Sequence, residues 1–172
     1  MMSGANTGLE AVRGVLVDTS FLIRLLKPDD PLNGNAKAWF REFLERKVPL
    51  FLSTIVIAEW CVKGDFDELP VRNLRVLPFN VDHARRAGPL MGALLKAREQ
   101  AGPEERNVVL NDVKLLAQAE ATIGITHILT KDGGYAKRIE RLKAEGHVIT
   151  TQVLDLHVPM AQVLGRLDLP QD

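Results

Sequence analysis

Four acidic side chains stand out because each lies beside or within a short apolar segment. Asp18 follows the apolar run in VLVDTS, and Asp132 follows another in HILTKDGG. Glu59 lies within TIVIAEWCV, which is almost entirely apolar, and Asp112 precedes the apolar positions of LNDVKLLAQAEA. A buried carboxylate without a partner destabilises a fold, so such a group must pair, take up a proton or bind a cation.

Taken together, the four carboxylates predict a site for divalent metal. Four ionised carboxylates about 5–7 Å apart, at an effective dielectric constant of about 20, would repel one another by roughly 15–20 kcal/mol in total, as much as the stability of a typical domain. Mg²⁺ or Mn²⁺ could hold such a cluster because hard cations prefer oxygen ligands. Two such ions could activate a water and stabilise the leaving oxygen in phosphodiester hydrolysis. The histidines show no HxxxH spacing, which disfavours zinc.

Ordinary structural roles could also explain each acid singly. Asp18 could cap the helix that follows it, and Asp132 could be a turn residue before two glycines. Asp112 could lie in the first turn of its helix, where capping and the helix dipole favour an acid. Glu59 could pair with Lys63 one turn later, although such a pair contributes only about 0.2–0.5 kcal/mol.

Strand and helix patterns alternate along the whole chain. Short apolar runs predict strands at residues 14–17, 48–52, 73–79, 127–130 and 148–153. Helical spacing predicts helices at residues 19–26, 36–47, 55–63, 82–100, 111–124, 135–145 and 160–167. Pro89 is expected to kink or split its helix, and the charged segment 96–107 is expected to form a solvated, mobile loop.

This alternation predicts one α/β domain, built on an open parallel sheet with helices on both faces. Ligands of such sheets bind beyond the carboxyl ends of the strands, which is where Asp18 and Asp132 fall. We expect residues 14–157 to form the domain, residues 1–13 an N-terminal extension, and residues 158–172 a C-terminal helix and tail packed on it.

The composition excludes several classes of protein. The 172 residues are 46% hydrophobic and 26% charged, which is typical of a soluble globular protein and excludes disorder. Because 22 Lys and Arg balance 22 Asp and Glu, a nucleic-acid partner must be held by a local patch or by bound metal. The single cysteine excludes an intramolecular disulfide. No segment has the apolar length of a membrane span or of a signal peptide, so we expect a cytoplasmic protein and no membrane partner.

Four segments in order resemble the PIN-domain family of metal-dependent nucleases, and within it the VapC-type toxins. They are VLVDTSFLIRLL, LSTIVIAEW, LNDVKLLAQAEATIG and ITHILTKDGGYAK, which together span about residues 14–138. The resemblance implies a three-layer α/β/α sandwich with a central parallel sheet and acids clustered at its carboxyl edge. It also implies that four acids are catalytic and bind metal and that Thr130 orders the site; the acids are Asp18, Glu59, Asp112 and Asp132.

The same resemblance implies an activity and partners. We expect an Mg²⁺- or Mn²⁺-dependent endoribonuclease that hydrolyses RNA phosphodiester bonds. As the toxin of a toxin–antitoxin pair, the protein would form a homodimer and would be silenced by a small antitoxin protein whose tail enters the site. Two alternatives remain open at this point: a catalytically silent PIN-like module that binds RNA or protein, and a housekeeping RNA-processing or DNA-directed PIN nuclease.

Basic residues near the four segments are candidate substrate contacts, although each is also explained as an ordinary solvated charge. They are Arg24, Lys63, Lys131, Lys137 and Arg138. Aromatic residues make up only 5% of the chain, which predicts sparse stacking on nucleobases. Trp60, beside Glu59, could line the cleft, but core packing is the simpler interpretation.

Overall fold

The architecture rests on a five-stranded, wholly parallel sheet. The computed structural model describes residues 12–96 and 103–163, with side chains described for residues 12–96 and 110–163. The strands are β1 (Val15–Val17), β2 (Leu50–Ser53), β3 (Arg75–Leu77), β4 (His127–Thr130) and β5 (Gln152–Asp155). Their order across the sheet is β3-β2-β1-β4-β5, and every neighbouring pair is parallel.

Helices connect the strands and form two layers. They are α1 (Thr19–Leu26), α2 (Asn33–Glu45), α3 (Thr54–Trp60), α4 (Val81–Lys96), α5 (Pro103–Ala121), α6 (Gly134–Ala144) and α7 (Met160–Val163). Helix α1 packs against α2 and α3, whereas α4 packs against α5 and α6. The predicted three-layer α/β/α fold in a single domain is therefore confirmed. Within the described ranges, no helix combines the length and apolar character needed to cross a membrane.

The strand order creates a crevice between β1 and β4. The chain builds outward from β1 to β2 and β3 on one side of the sheet, and then to β4 and β5 on the other. In parallel sheets the connections on the two sides cover opposite faces, which leaves a ligand-binding crevice where the direction reverses. Both flanking strands are completely buried, as central parallel strands should be. Asp18 and Asp132 follow these two strands.

A close backbone approach fixes how β1 begins beside β4. The carbonyl oxygen of Gly14 accepts the N–H groups of Thr126 and His127 at 2.9 and 3.2 Å. A side chain at Gly14 would place its Cβ 2.3 Å from the carbonyl oxygen of Gly124. Gly124 itself has φ +94°, a conformation that favours glycine. The glycines therefore allow the two central strands to start in register.

Several predicted helix boundaries are wrong. Helix α2 begins at Asn33 rather than at residue 36, and α5 begins at Pro103 rather than at residue 111. The expected loop 96–107 is thus helical from Pro103 onward, since proline is favoured in the first turn of a helix; residues 97–102 lie outside the described residues. Pro89 does not split α4, because the helix packs on α5 and is buried at Ala87 before the proline and at Leu90 after it.

The last strand also differs from its prediction. Strand β5 runs from Gln152 to Asp155 rather than over residues 148–153. The backbone N–H groups of Thr150 and Thr151 donate to the Glu120 carboxylate at 2.8 and 2.5 Å, so they are engaged by α5 before the sheet pairing starts. Residues 1–11 and 164–172, which hold most of the expected N-terminal extension and the end of the predicted last helix, lie outside the described residues.

Substitution of Gly14 tests the close approach between the central strands. Gly14→Ala is expected to destabilise the protein by about 1–3 kcal/mol, because the added methyl group collides with a backbone oxygen that cannot move freely. Gly92→Ala in α4 is the matched control, since nothing lies within 4 Å of its added Cβ, and it is expected to be neutral or stabilising. Urea unfolding of both variants measures the difference; equal stabilities would contradict the argument.

Candidate active site

Asp18 is held in one orientation at the end of β1. It is the N-cap of α1, and its Oδ1 accepts the backbone N–H of Thr19 at 2.7 Å. Its Oδ2 accepts the hydroxyls of Ser20 and Thr130 at 2.8 and 2.7 Å. The residue is only 7% exposed. Asp18 therefore does cap α1, as its position in the sequence suggested. Its second carboxylate oxygen accepts two further hydrogen bonds from hydroxyl groups.

Burial and neighbouring charge act together on this carboxyl group. Burial raises the pKa of Asp18 above its ordinary value, while the bonds donated by Thr130, Ser20 and Thr19 partly oppose the rise. The carboxylate of Glu59 raises the pKa further. Glu59 is thus close enough for its charge to act on Asp18, although it comes from a different strand–helix unit.

A pair of hydroxyls joins the ends of β1 and β4. Thr130 Oγ1 accepts the backbone N–H of Asp132 at 2.9 Å, and Ser20 Oγ accepts that of Lys131 at 2.9 Å. The two hydroxyl oxygens are 3.2 Å apart. Sequence reasoning identified Thr130 but missed Ser20 as a residue of the site. The sequence did offer a signal for Ser20, because it is a hydroxyl residue two positions after an acid that follows a strand.

Glu59 is half-buried on α3 rather than surrounded by core. The Thr19 hydroxyl donates to its Oε2, and the Asn111 side chain donates to its Oε1 at 2.6 Å. Among the described residues it makes no ion pair with Lys63, whose side chain is exposed. Asn111 was not identified as a site residue, because its amide resembles an ordinary helix-start residue until the true start of α5 is known.

Asp112 lies in the interior of α5. Since α5 begins at Pro103, the expected place in the first helical turn is wrong, and capping does not explain this acid. It is 8% exposed. Burial raises the pKa of Asp112 to about 8; Arg138 opposes the rise, while nearby carboxylates add to it. Those carboxylates are Asp18, Asp132 and Glu59.

Asp132 and Asp112 share one cation. Asp132 Oδ1 accepts the backbone N–H of Gly134 at 2.7 Å, so the expected turn role is present. One terminal nitrogen of Arg138 donates to Asp112 Oδ2 at 2.5 Å and also to Asp132 Oδ2. Burial acts to raise the pKa of Asp132, but the Gly134 N–H and the Arg138 guanidinium outweigh it, so this pKa lies below its ordinary value.

Only one of the five predicted basic residues lies inside the acid cluster. Arg138 lies inside the acid cluster, where its side chain is only 14% exposed. Arg24 is held by α1, donating to the Ser20 carbonyl at 3.3 Å and approaching Asp30 at 3.5 Å. Lys63 lines a groove that also contains Glu59. In the described part of the chain, the ammonium groups of Lys131 and Lys137 make no ion pair with the four acids.

The donor set fits a hard divalent cation in its chemistry but not in its present arrangement. All four acids offer oxygen ligands, which Mg²⁺ and Mn²⁺ prefer. Among the side chains described for residues 12–96 and 110–163, however, no group of three or more His, Cys, Asp or Glu is arranged to hold a metal ion. Arg138 instead pairs with both Asp112 and Asp132 and supplies positive charge between them.

Comparison with known proteins places the chain in a family. A family model for the PIN domain matches residues 15–142. The fold is also similar to FitAcB from Neisseria gonorrhoeae, with 17% identity and a TM-score of 0.57 over 83% of this chain and 98% of that one. No curated protein matches the chain.

Two further solved structures share the fold. VapBC2 from Rickettsia felis, bound to a DNA fragment from its promoter, has 15% identity and a TM-score of 0.55 over 82% of this chain and 97% of that one. VapC20 from Mycobacterium tuberculosis, described as a toxin that cleaves the Sarcin-Ricin loop, has 22% identity and a TM-score of 0.51 over 78% and 97%. Because the sequence identities are only 15%, 17% and 22%, these similarities show a shared fold and no more.

The raised pKa of Asp112 is expected to make the metal-free protein less stable as pH rises. The native state keeps a proton that the unfolded chain, with an ordinary aspartate pKa of about 3.9, has lost. Between about pH 4 and the native pKa of about 8, the free energy of unfolding should therefore fall, by at most about 1.4 kcal/mol per pH unit for this one proton.

Urea unfolding in chelator at several pH values measures this slope. Asp112→Asn should flatten it, because the amide does not titrate in that range. An identical slope in the wild type and the variant would show that another group is responsible.

Proposed function

Because the chain belongs to the PIN-domain family of nucleases, we propose that it is a metal-dependent endoribonuclease that hydrolyses RNA phosphodiester bonds. The supporting observation is the convergence of four acids from separate segments at the crevice between β1 and β4. Their charges act on one another, since Asp18, Asp132 and Glu59 all raise the pKa of Asp112. Such a concentration of negative charge is suited to hold divalent cations against a polyanionic substrate.

In this proposal the four acids hold Mg²⁺ or Mn²⁺, which when bound lowers the pKa of a water and neutralises charge on the phosphate. Asp18 is the principal ligand, because three donors fix its orientation before any metal arrives. We assign proton acceptance from the attacking water to Glu59, the one acid of the four that lines the open groove. Thr19 and Asn111 orient its two oxygens.

We extend the proposal to the toxin of a toxin–antitoxin pair, acting in the cytoplasm. The similar structures support this extension, because one is the VapBC2 complex and another is a toxin described as cleaving the Sarcin-Ricin loop. The expected partners are RNA, a small antitoxin protein and a second copy of this chain. Growth arrest on expression of the chain, with arrest lost in an active-site variant, would support the toxin assignment.

Replacement of Asp18 tests the nuclease proposal. Asp18→Asn should reduce cleavage of mixed cellular RNA by at least about 100-fold, because it removes a ligand charge worth several kcal/mol in the transition state. Asparagine is as good an N-cap as aspartate, so α1 and the circular dichroism spectrum should be preserved. The wild type should cut with Mg²⁺ or Mn²⁺ and stop in chelator. Cutting that continues in chelator, or in the variant, would contradict the proposal.

Replacement of Arg138 tests whether its guanidinium competes with metal. At a pH above about 8, where Asp112 and Asp132 are both ionised, Arg138→Gln should destabilise the metal-free protein by up to about 3–5 kcal/mol, because two carboxylates lose a shared, largely buried cation. Mn²⁺ should then raise the melting temperature more in this variant than in the wild type. Arg41→Gln, on the exposed side of α2, is the matched control and should behave as the wild type. A smaller Mn²⁺ effect in Arg138→Gln would mean that the arginine organises the metal ligands instead.

A further inference from the structure

A groove opens directly from the acid cluster. It has a volume of about 940 Å³, within the size range of small-molecule sites, and Thr19 and Glu59 both line it. Three more of its residues, Ile23, Leu26 and Lys27, belong to α1 or to its C-cap. Positions 19, 23, 26 and 27 share one face of a helix, so the groove follows α1 away from the catalytic acids.

The opposite side of the groove carries a tryptophan that is fixed in place. Trp60, the last residue of α3 and the neighbour of Glu59, lines the groove and is half-buried. Its indole Nε1 donates to the carbonyl oxygen of Asp65 at 2.8 Å. Gly64 lies against the ring, because a Cβ there would be 2.5 Å from both Cε2 and Nε1. The indole is thus an aromatic surface that needs little ordering before a ligand binds.

Two lysines supply positive charge beside this surface. Lys27 and Lys63 both line the groove, one following α1 and the other following α3, and the acids Glu59 and Glu68 line it as well. In the part of the chain that the structure describes, neither ammonium forms an ion pair. An aromatic surface combined with unpaired cations is the pattern that binds single-stranded nucleic acid, because every base has a face that can stack and every nucleotide carries a phosphate.

We propose that this groove binds single-stranded RNA beside the scissile phosphodiester, with a nucleobase stacked on Trp60 and backbone phosphates paired with Lys27 and Lys63. The proposal rests on the nuclease function, since continuity with Glu59 is what brings the groove to the reacting phosphate. It makes Trp60 a substrate-binding residue, beyond the packing role that the sequence favoured. Stacking of this kind is independent of base identity, so the groove contributes affinity and strand preference more than sequence recognition.

Binding of a labelled single-stranded RNA to the Asp18→Asn protein, measured by fluorescence anisotropy with Mg²⁺, tests the stacking. Trp60→Ala should weaken binding by about 5-fold to 150-fold, whereas Trp60→Phe should lose much less. Phe66→Ala, an exposed aromatic that does not line the groove, is the matched control and should bind as the parent does. An oligomer of equal length with abasic sites should bind the parent and Trp60→Ala equally. Undiminished RNA binding by Trp60→Ala, or an equal loss on both oligomers, would overturn the proposal.

A second measurement keeps Trp60 in place. Trp39 and Trp60 are the two tryptophans of the chain, and Trp39 is completely buried. In a Trp39→Phe background the fluorescence therefore comes from Trp60 alone. Titration with the single-stranded RNA should quench it, and titration with the abasic oligomer should leave it largely unchanged. Absence of quenching at RNA concentrations that saturate the anisotropy signal would overturn the stacking. An apolar segment of a partner protein would then be the remaining candidate ligand for the groove.

The lysines are tested through salt dependence. Lys27→Gln and Lys63→Gln should each reduce the slope of log affinity against log salt concentration by about 0.7, the value for one phosphate contact on a single strand. Lys37→Gln, on the exposed side of α2, is the control and should leave the slope unchanged. Unchanged slopes in the first two variants would overturn the phosphate contacts.

Failure of this inference can be told apart from failure of the nuclease proposal. The binding measurements use Asp18→Asn and need no turnover, whereas the cleavage measurement uses the wild type. If Trp60→Ala bound RNA as tightly as the parent while the wild type showed normal metal-dependent cleavage, only the groove proposal would be rejected. Loss of cleavage under every metal condition would reject the nuclease, whatever the groove binds.

Discussion

Repulsion among carboxylates is the constraint on which the site depends. Asp18 and Asp112 are almost completely buried; the charge of Glu59 acts on both, and the charge of Asp132 acts on Asp112. In a medium of low effective dielectric constant such charges cannot all be ionised unless positive charge or hydrogen-bond donors offset them. The fold meets this requirement with three kinds of donor. Two hydroxyls donate to Asp18, and the Asn111 amide donates to Glu59. The Arg138 guanidinium is shared by Asp112 and Asp132. In the proposed function, divalent metal would supply the remaining positive charge.

The parallel sheet concentrates the charge because of its strand order. With β1 and β4 adjacent at the centre, the residues that follow them must lie side by side at one edge of the sheet. Hydroxyls of Ser20 and Thr130 then couple the two strand ends directly. The close approach of Gly14 to Gly124 fixes the other end of the same strand pair. The helices α3 and α5 bring Glu59 and Asp112 to this edge from two different connections.

The sequence was informative where a residue's position follows from strand order. Asp18 and Asp132 end short apolar runs, and parallel strands end at the same edge, so their meeting could be predicted. The place of Asp112 within its helix could not be predicted, because the charged residues around Pro103 resemble a loop in sequence, whereas α5 begins at Pro103. The pairing of Arg138 with two acids was also hidden, because it joins α6 to α5 and to the end of β4 through tertiary contacts that local sequence patterns do not encode. Ser20 and Asn111 were overlooked because a hydroxyl or amide beside an acid is common in helix caps.

Anomalous diffraction from crystals containing Mn²⁺ tests the central claim most directly, because it locates the metal and shows Arg138 in the same experiment. The account predicts an anomalous peak at the carboxylates of Asp18 and its neighbours, with the guanidinium withdrawn from Asp112 or Asp132. A map with no peak among these acids, and with Arg138 still bridging them, would contradict it: the counter-charge of the site would then be the arginine rather than a metal ion.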